Sequence, residues 1–435
     1  MQVSVTRQEN VTVMTVSREI RKEEESRYIE IPFDMPEGIE EIRVRYRVES
    51  RGEPNAVIDL GVRDGERVRG WSGGARSEFR LGLEKATPGY LPGPLTPGRW
   101  AVLHNAYRVP AGGCTVTVTV ELHRRAPRWL KGDLHVHSVH SDGVYTPEEN
   151  ARILEELGCD FLAMTDHNTC SQNVAYPRMA HMDIVMIPGY EFTTNFGHIN
   201  FLGVADPLDD FRVAGREDVH RRLRTAREHG AKIVLNHPHC HFCPWLWGFD
   251  VDFDWVEIWN GPWTPANQAT LEWWHAQLVA GRRLTAVGGS DMHRPDPYRR
   301  HAMPTTWVYS ETKTADGILE GIGRGRVVLS YAPDGPFAEL HCGSYGIGDV
   351  APAGTGAREP VRMTAERVKA GDLIRLIDNR GVQLEVTAGQ DGTLALELPA
   401  AAGRTFCRAE IWRHFGEVNM QLLAAATNPV YLDGE

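Results

Sequence analysis

Through the first 127 residues, apolar and polar positions alternate with a period of two. Glu41-Ile42-Arg43-Val44-Arg45-Tyr46-Arg47-Val48 and Thr115-Val116-Thr117-Val118-Thr119-Val120 follow this rule, as strands buried on one face must, because successive side chains point to opposite faces. Val11-Thr12-Val13-Met14-Thr15-Val16 adds a run rich in β-branched residues. Gly/Pro clusters such as Ala86-Thr87-Pro88-Gly89-Tyr90-Leu91-Pro92-Gly93-Pro94 separate these runs, and no helical window of any length interrupts them. The pattern predicts a β-sandwich over residues 1–128.

From Trp129 the rhythm becomes strand, helix, strand. Asp133-Leu134-His135-Val136-His137 reads as a short strand. Thr146-Pro147-Glu148-Glu149 then opens a helix, with Thr as N-cap, Pro at the first position and Glu closing a capping box. Ala151, Leu154 and Leu157 form its apolar stripe, and Gly158 is its stop. Further strands are predicted near 161–165, 184–188, 199–203, 232–236, 255–259 and 285–289, with helices near 216–229 and 265–280. Six or seven such units over 129–332 predict an irregular, distorted (β/α)7-type barrel. Beyond Tyr331 strand-like runs return, as in Asp372-Leu373-Ile374-Arg375-Leu376-Ile377. A small C-terminal β domain over 333–435 completes a multidomain α/β plus all-β architecture.

A chain of 435 residues that is 42% hydrophobic and 24% charged has the composition of a soluble globular protein and excludes a disordered or collagen-like one. No run approaches the ~18 apolar residues of a membrane helix. The opening decapeptide lacks a basic-then-apolar leader, which makes a cytoplasmic location the default. Net charge −11 argues against a nucleic-acid partner.

The seven cysteines are too scattered for a disulfide framework. Cys240-His241-Phe242-Cys243 is the one close pair. It reads either as half a zinc site or redox pair, or as two ordinary cysteines, since no second Cys-x-x-Cys completes it. Histidine is more informative. Fourteen of eighteen lie between His135 and His301, under two-fifths of the chain. Imidazoles clustered with carboxylates are what a metal centre of nitrogen and oxygen ligands needs.

Those residues sit where strands end. His135-Val136-His137 places two imidazoles on one side of a strand. Ser141-Asp142-Gly143, Thr165-Asp166-His167, Gly189-Tyr190-Glu191, Asn236-His237-Pro238 and Ser290-Asp291-Met292-His293 follow. All are expected at the C-terminal mouth, where barrels assemble their sites. His198 is the exception, because it precedes its predicted strand.

In these pieces the segment 131–330 resembles the polymerase-and-histidinol-phosphatase (PHP) family of metallo-hydrolases. The flanking β regions, with Arg69-Gly70-Trp71-Ser72-Gly73-Gly74-Ala75-Arg76, resemble the subgroup that includes carbaryl (carbamate) hydrolases. The resemblance implies two or three divalent ions (Zn, Mn or Fe). His135, His137, Glu191 and Asp291 would hold the first; Glu191 would bridge to a second held by His198 and His237; Asp142, His167 and His293 would hold a third. Catalysis would rest on His135, His137, Glu191, Asp291 and His293.

Six imidazoles and three carboxylates without a thiolate suit such ions independently. Water on such ions ionises near neutral pH, which supplies a nucleophile without serine or cysteine. The expected activity is metal-dependent hydrolysis of a small-molecule substrate carrying a phosphoester. Two alternatives stand beside it, a carbamate, amide or ester hydrolase and a non-catalytic metal-binding module. Several neighbours have two readings. Asp166 either orients His167 or caps its loop; Glu257 and Asn260, at the end of the sixth strand, either support the ligands or cap a loop. Trp245, Trp247, Trp259 and Trp263 either wall a pocket or pack the core. Arg294 either clamps a phosphate or pairs at the surface, and Arg69, Trp71 and Arg76 either cover the mouth or form a corner. His140, His181, His239, His241 and His301 have no place in the ligand set; one of them is a general acid or substrate contact, or all are solvated or supporting.

Overall fold

The protein, as a computed structural model, is described over residues 2–434. Strand makes up 44% of it and helix 15%, a mixed α/β fold dominated by sheet. Two compact units divide the chain. The first runs to Pro127 and includes Pro177–Asp183; the second holds Arg128–Tyr176 and Ile184–Glu435.

The first unit is built of two antiparallel sheets. One orders its strands Gln2–Gln8, Val11–Ile20, Cys114–Arg124, Ile39–Ser50 and Glu78–Gly82; the other orders Tyr28–Met35, Gly98–Asn105, Leu60–Arg63 and Val68–Gly73. The period-two pattern explains their faces. Val116, Val118 and Val120 are buried while the intervening threonines are partly exposed, and they join Ile42, Val44, Phe33 and Trp100 in one core. Each buried aliphatic contributes roughly 1.5–3 kcal/mol. Arg69 is buried in this unit, paired with Asp64 at 3.2 Å and donating to the Leu91 and Pro94 carbonyls. Of its two readings, the structural corner holds.

The second unit carries three sheets. The largest follows the path Val185–Ile187, Phe161–Met164, Arg128–Val136, Thr305–Ser310, Val327–Ser330, Met420–Thr427, Phe406–Phe415, Leu373–Asp378 and Gly381–Thr387. Its first three strands are parallel and the rest antiparallel. The second sheet orders Gly189–Thr194, Gly197–Leu202, Lys232–Leu235, Trp255–Asn260 and Thr285–Gly289. Single bridges link the two sheets: Val136 to Met292, three residues past Thr285–Gly289, and His167, three residues past Phe161–Met164, to Glu191. A third, four-stranded sheet lies wholly within 337–398.

Helices Pro147–Glu156, Arg216–Glu228, Pro265–Val279 and Ala315–Gly323 connect the strands. Pro147–Glu156 starts as its sequence dictates: Thr146 accepts from the Glu149 N–H, and Glu149 returns the bond to Thr146. The first strand of the unit starts at Arg128, five residues before its predicted start. Helix Ala315–Gly323 has no counterpart in the predicted elements; its three glycines mask it.

Candidate metal centre

Each ligand candidate is delivered by its strand. His135 is buried near the end of Arg128–Val136, and His137 follows it. His167 lies three residues past Phe161–Met164, and His237 two past Lys232–Leu235. Asp291 and His293 follow Thr285–Gly289. Glu191 is inside Gly189–Thr194. His198, the sequence exception, lies inside Gly197–Leu202, which runs antiparallel to the Glu191 strand with His198 opposite Thr193. Reversal of direction puts the start of one strand beside the end of its partner, so His198 reaches the same mouth. His237 (φ +27°) and Asp291 (φ +53°) adopt left-handed backbone, as do five other non-glycine residues among those described.

All nine side chains converge. His135 Nε2 stands 3.2 Å from Glu191 Oε1 and 3.4 Å from Asp291 Oδ1. His137 Nε2 stands 3.1 Å from Asp291 Oδ1 and 3.5 Å from Glu191 Oε2. Glu191 Oε1 also faces His198 Nδ1 at 3.2 Å and His237 Nε2 at 3.7 Å, and Oε2 faces His167 Nδ1 at 2.7 Å. Asp142 Oδ1 completes the cluster, 3.3 Å from His293 Nε2 and 3.7 Å from His167 Nε2. These atoms fall into overlapping groups whose members could share an ion, such as His135–His137–Asp291, His135–Glu191–His237 and His137–Asp142–His167–His293.

The donors fit divalent ions on an observation beyond proximity. His135 Nε2, both ring nitrogens of His137 and Glu191 Oε2 are buried and make no contact of good hydrogen-bond geometry, only ion-pair approaches within the cluster. Buried polar atoms left this way cost about 1–3 kcal/mol each, and convergent lone pairs are what an ion satisfies. The electrostatics point the same way. Burial alone would raise the Glu191 and Asp291 carboxyls, but the imidazoles, His135 foremost, hold both well below the usual range. Burial opposes charge on His135, yet Glu257, Glu191 and Asp291 drive its pKa well above the ordinary value. Protons supply here the positive charge that cations would bring. At His137 burial wins, and its pKa is lowered.

Supporting contacts fix the donors. Glu257 Oε1 lies 2.9 Å from His135 Nδ1, and its Oε2 accepts from the His237 N–H and the Asn260 amide. Of its two readings the supporting one holds, and Asn260 orients it in turn. Asn236 donates to Glu191 Oε1 at 2.8 Å. Asp133, fully buried, accepts from the backbone of His135, Ser290 and Ala302. Asp166 accepts from the Ser138 N–H and the Ser138 and Ser141 hydroxyls; it caps the loop after His137 rather than orienting His167.

Two residues near the cluster have no part in the predicted set. Arg299 lies 3.4 Å from Asp291 Oδ2 and donates to the Asp291 carbonyl and Asn260; a lone arginine in a polar loop carries no sequence signal. Cys243 groups with His198 and His237, so a sulfur does border a cluster read from sequence as free of thiol. Its signal was the Cys-x-x-Cys spacing. Glu257 brings the carboxylates to four, so two divalent ions would only balance them; attraction for an anion then needs a third ion or arginine.

The remaining candidates lie outside the cluster. His140 bonds Ser171, His239 bonds Thr270, and His181 bonds the Arg178 carbonyl. His301 is buried against Asn150, which donates to the His137 carbonyl. His241 is exposed. Trp245 and Trp259 are core residues, whereas Trp247 and Trp263 are partly exposed. Arg294 is exposed and donates to the Asp142 carbonyl at 3.2 Å.

No family model matches the sequence. The chain is 26% identical over 145 residues to an uncharacterized protein of Methanocaldococcus jannaschii, covering 30% of this chain and 82% of that one. It is 34% identical over 108 residues to the 3′,5′-nucleoside bisphosphate phosphatase of Chromobacterium violaceum, covering 23% of this chain and 37% of the phosphatase. Among solved structures, a two-domain protein of Bacteroides vulgatus containing a predicted PHP-like metal-dependent phosphoesterase superposes with a TM-score of 0.41 at 18% identity, over 70% of this chain and 95% of that one. A putative metal-dependent phosphoesterase of Bifidobacterium adolescentis gives a TM-score of 0.28 at 14% identity, over 44% and 96% of the two chains.

Proposed function

We propose that the protein is a metal-dependent phosphoesterase acting on a small phosphorylated molecule, with its centre in a distorted PHP-type barrel. The observation that carries this is the convergence of buried imidazole and carboxylate lone pairs, several without a well-formed hydrogen bond, on one volume. Similarity to a bisphosphate phosphatase supports the choice of phosphorus over carbon as the electrophile.

His135, His137, Glu191 and Asp291 would hold one ion; Glu191 would be shared with a second held by His198 and His237; Asp142, His167 and His293 would hold a third. Such ions, when bound, supply Lewis acidity and lower the pKa of water. The chain's own residues supply the rest. Glu191 and His137 are fully buried and close the inner end to solvent, whereas the Asp142 side chain is 54% exposed and marks the open end. The substrate phosphoryl group enters there. Arg294, beside His293 and bonded to the Asp142 carbonyl, would meet its oxygens, and Arg299, 3.4 Å from Asp291 Oδ2, would add positive charge.

The test pairs metal analysis with turnover. Purified protein should carry Zn, Mn or Fe and hydrolyse p-nitrophenyl phosphate or its diester. Glu191→Gln and His137→Ala should lose both metal and activity. Turnover of aryl carbamates or esters alone would overturn the phosphoesterase reading, and a protein that neither contains nor takes up metal would overturn the centre itself.

A further inference from the structure

The loop after strand Lys232–Leu235 holds a pair of thiols that the proposed reaction does not use. Cys240 and Cys243 place their sulfurs 3.1 Å apart. Cys243 Sγ also lies 3.7 Å from His237 Nδ1, while Nε2 of the same ring faces Glu191 Oε1 at 3.7 Å. An imidazole that offers Nε2 to a cation carries its proton on Nδ1, and the acceptor in line for that proton is the Cys243 sulfur. The loop has little slack: the Cys240 N–H donates to the His237 carbonyl at 2.8 Å, and His237 sits at φ +27°. Both thiols are partly exposed, whereas Cys114, Cys159, Cys342 and Cys407 are buried.

We propose that Cys240 and Cys243 form a reversible thiol–disulfide modification site, with hydrogen peroxide as oxidant, that controls the metal centre through His237. One sulfur attacks a peroxide oxygen, the O–O bond breaks, the sulfur becomes a sulfenic acid and the other oxygen departs as water. The second thiol attacks that sulfur, the S–S bond forms, and the sulfenic oxygen departs as a second water. The peroxide is reduced by two electrons and the two thiols are oxidised by two. Bonding requires the sulfurs to close by about 1 Å, which draws Cys243 toward Cys240 and away from the acceptor position at His237 Nδ1. Removing the partner that orients a ligand histidine lowers metal affinity by about 10- to 100-fold. The disulfide itself does not depend on the proposed metal centre; its consequence does.

The experiment treats zinc-loaded full-length protein with hydrogen peroxide, maps disulfides by peptide mass spectrometry, and measures bound zinc after dialysis, before and after dithiothreitol. The expected result is a Cys240–Cys243 disulfide, loss of about one zinc equivalent, and recovery of binding on reduction. Cys240→Ser should keep its zinc under the same treatment, because Cys243 stays free beside His237. Two intact thiols at 240 and 243 after oxidation would overturn the modification site, whether or not the protein binds zinc. A mapped disulfide with zinc content unchanged would overturn the coupling.

Discussion

At the residue scale, the site is a problem of satisfying buried donors and acceptors. Glu257 serves two candidate ligands at once, bonding the His135 ring and the His237 backbone. Glu257→Gln should leave the fold intact and weaken metal binding by about 10- to 100-fold, measured by competition with a chelating dye; equal affinity would remove Glu257 from its supporting role. His301 carries a pH effect. Burial pushes its pKa down to about 4, below the ~6.5 of the unfolded chain. Below pH ~6.5 the unfolded state takes up a proton that the native state refuses, so the contribution is complete above that pH and is lost as pH falls toward 4. The size is up to about 3 kcal/mol. Denaturant titrations of wild type and His301→Gln at pH 7.5 and 4.5 check it: the stability gap should narrow in acid, and an unchanged gap would refute it. Most of the nine ligand candidates were legible as residue types at or just past expected strand ends; His198 was the exception, and the full set came from the family resemblance. Arg299 was not legible, since its relevance depends on how a loop folds back, and the Cys-x-x-Cys spacing marked Cys243 without showing that it borders His198 and His237.

Elements explain why so many distant residues meet. The capping box at Thr146 and the strands at 232, 255 and 285 could be read because local chemistry and hydrophobic period agree there. The hairpin Gly189–Leu202 could not, because strand direction is a tertiary property; it turned His198 from an outlier into a neighbour of Glu191. Strand Thr285–Gly289 shows how tightly the elements are set. A Cβ on Gly289 would lie 2.3 Å from His135 Cβ and 2.9 Å from Glu257 Oε1. Gly289→Ala should therefore force the His135 strand or the Glu257 side chain aside, at a cost of about 1–3 kcal/mol. Its metal content should fall with its melting temperature. A variant with lowered stability but full metal content would show that the strain is absorbed elsewhere.

On the scale of the whole molecule, the buried apolar residues among those described form three clusters, one in the first unit and two in the second. One gathers the apolar faces of the first unit's two sheets. In the second unit, residues late in the chain join the packing of the strands that carry the candidate ligands: Phe406, Leu423 and Tyr431 share a cluster with Phe161, Val256 and Leu235. Buried Asn428 reinforces this, accepting from the Ala286 N–H and donating to the Ala286 and Val327 carbonyls, so the strand that leads to Asp291 is held from the chain's far end. That pairing joins residues 142 apart, and no periodicity could have announced it. Candidate ligands lie only in this second unit. A ligand that binds the native state alone stabilises it by mass action, about 2.7 kcal/mol at a free concentration 100 times its dissociation constant. Calorimetry of metal-loaded protein should thus resolve two transitions. Chelation should lower one by several degrees and leave the other in place, and readdition of zinc should restore it. Since each core unfolds with its own unit, a chelator that moved both transitions equally would place the ions' stabilising effect outside the His135–Glu191–Asp291 cluster.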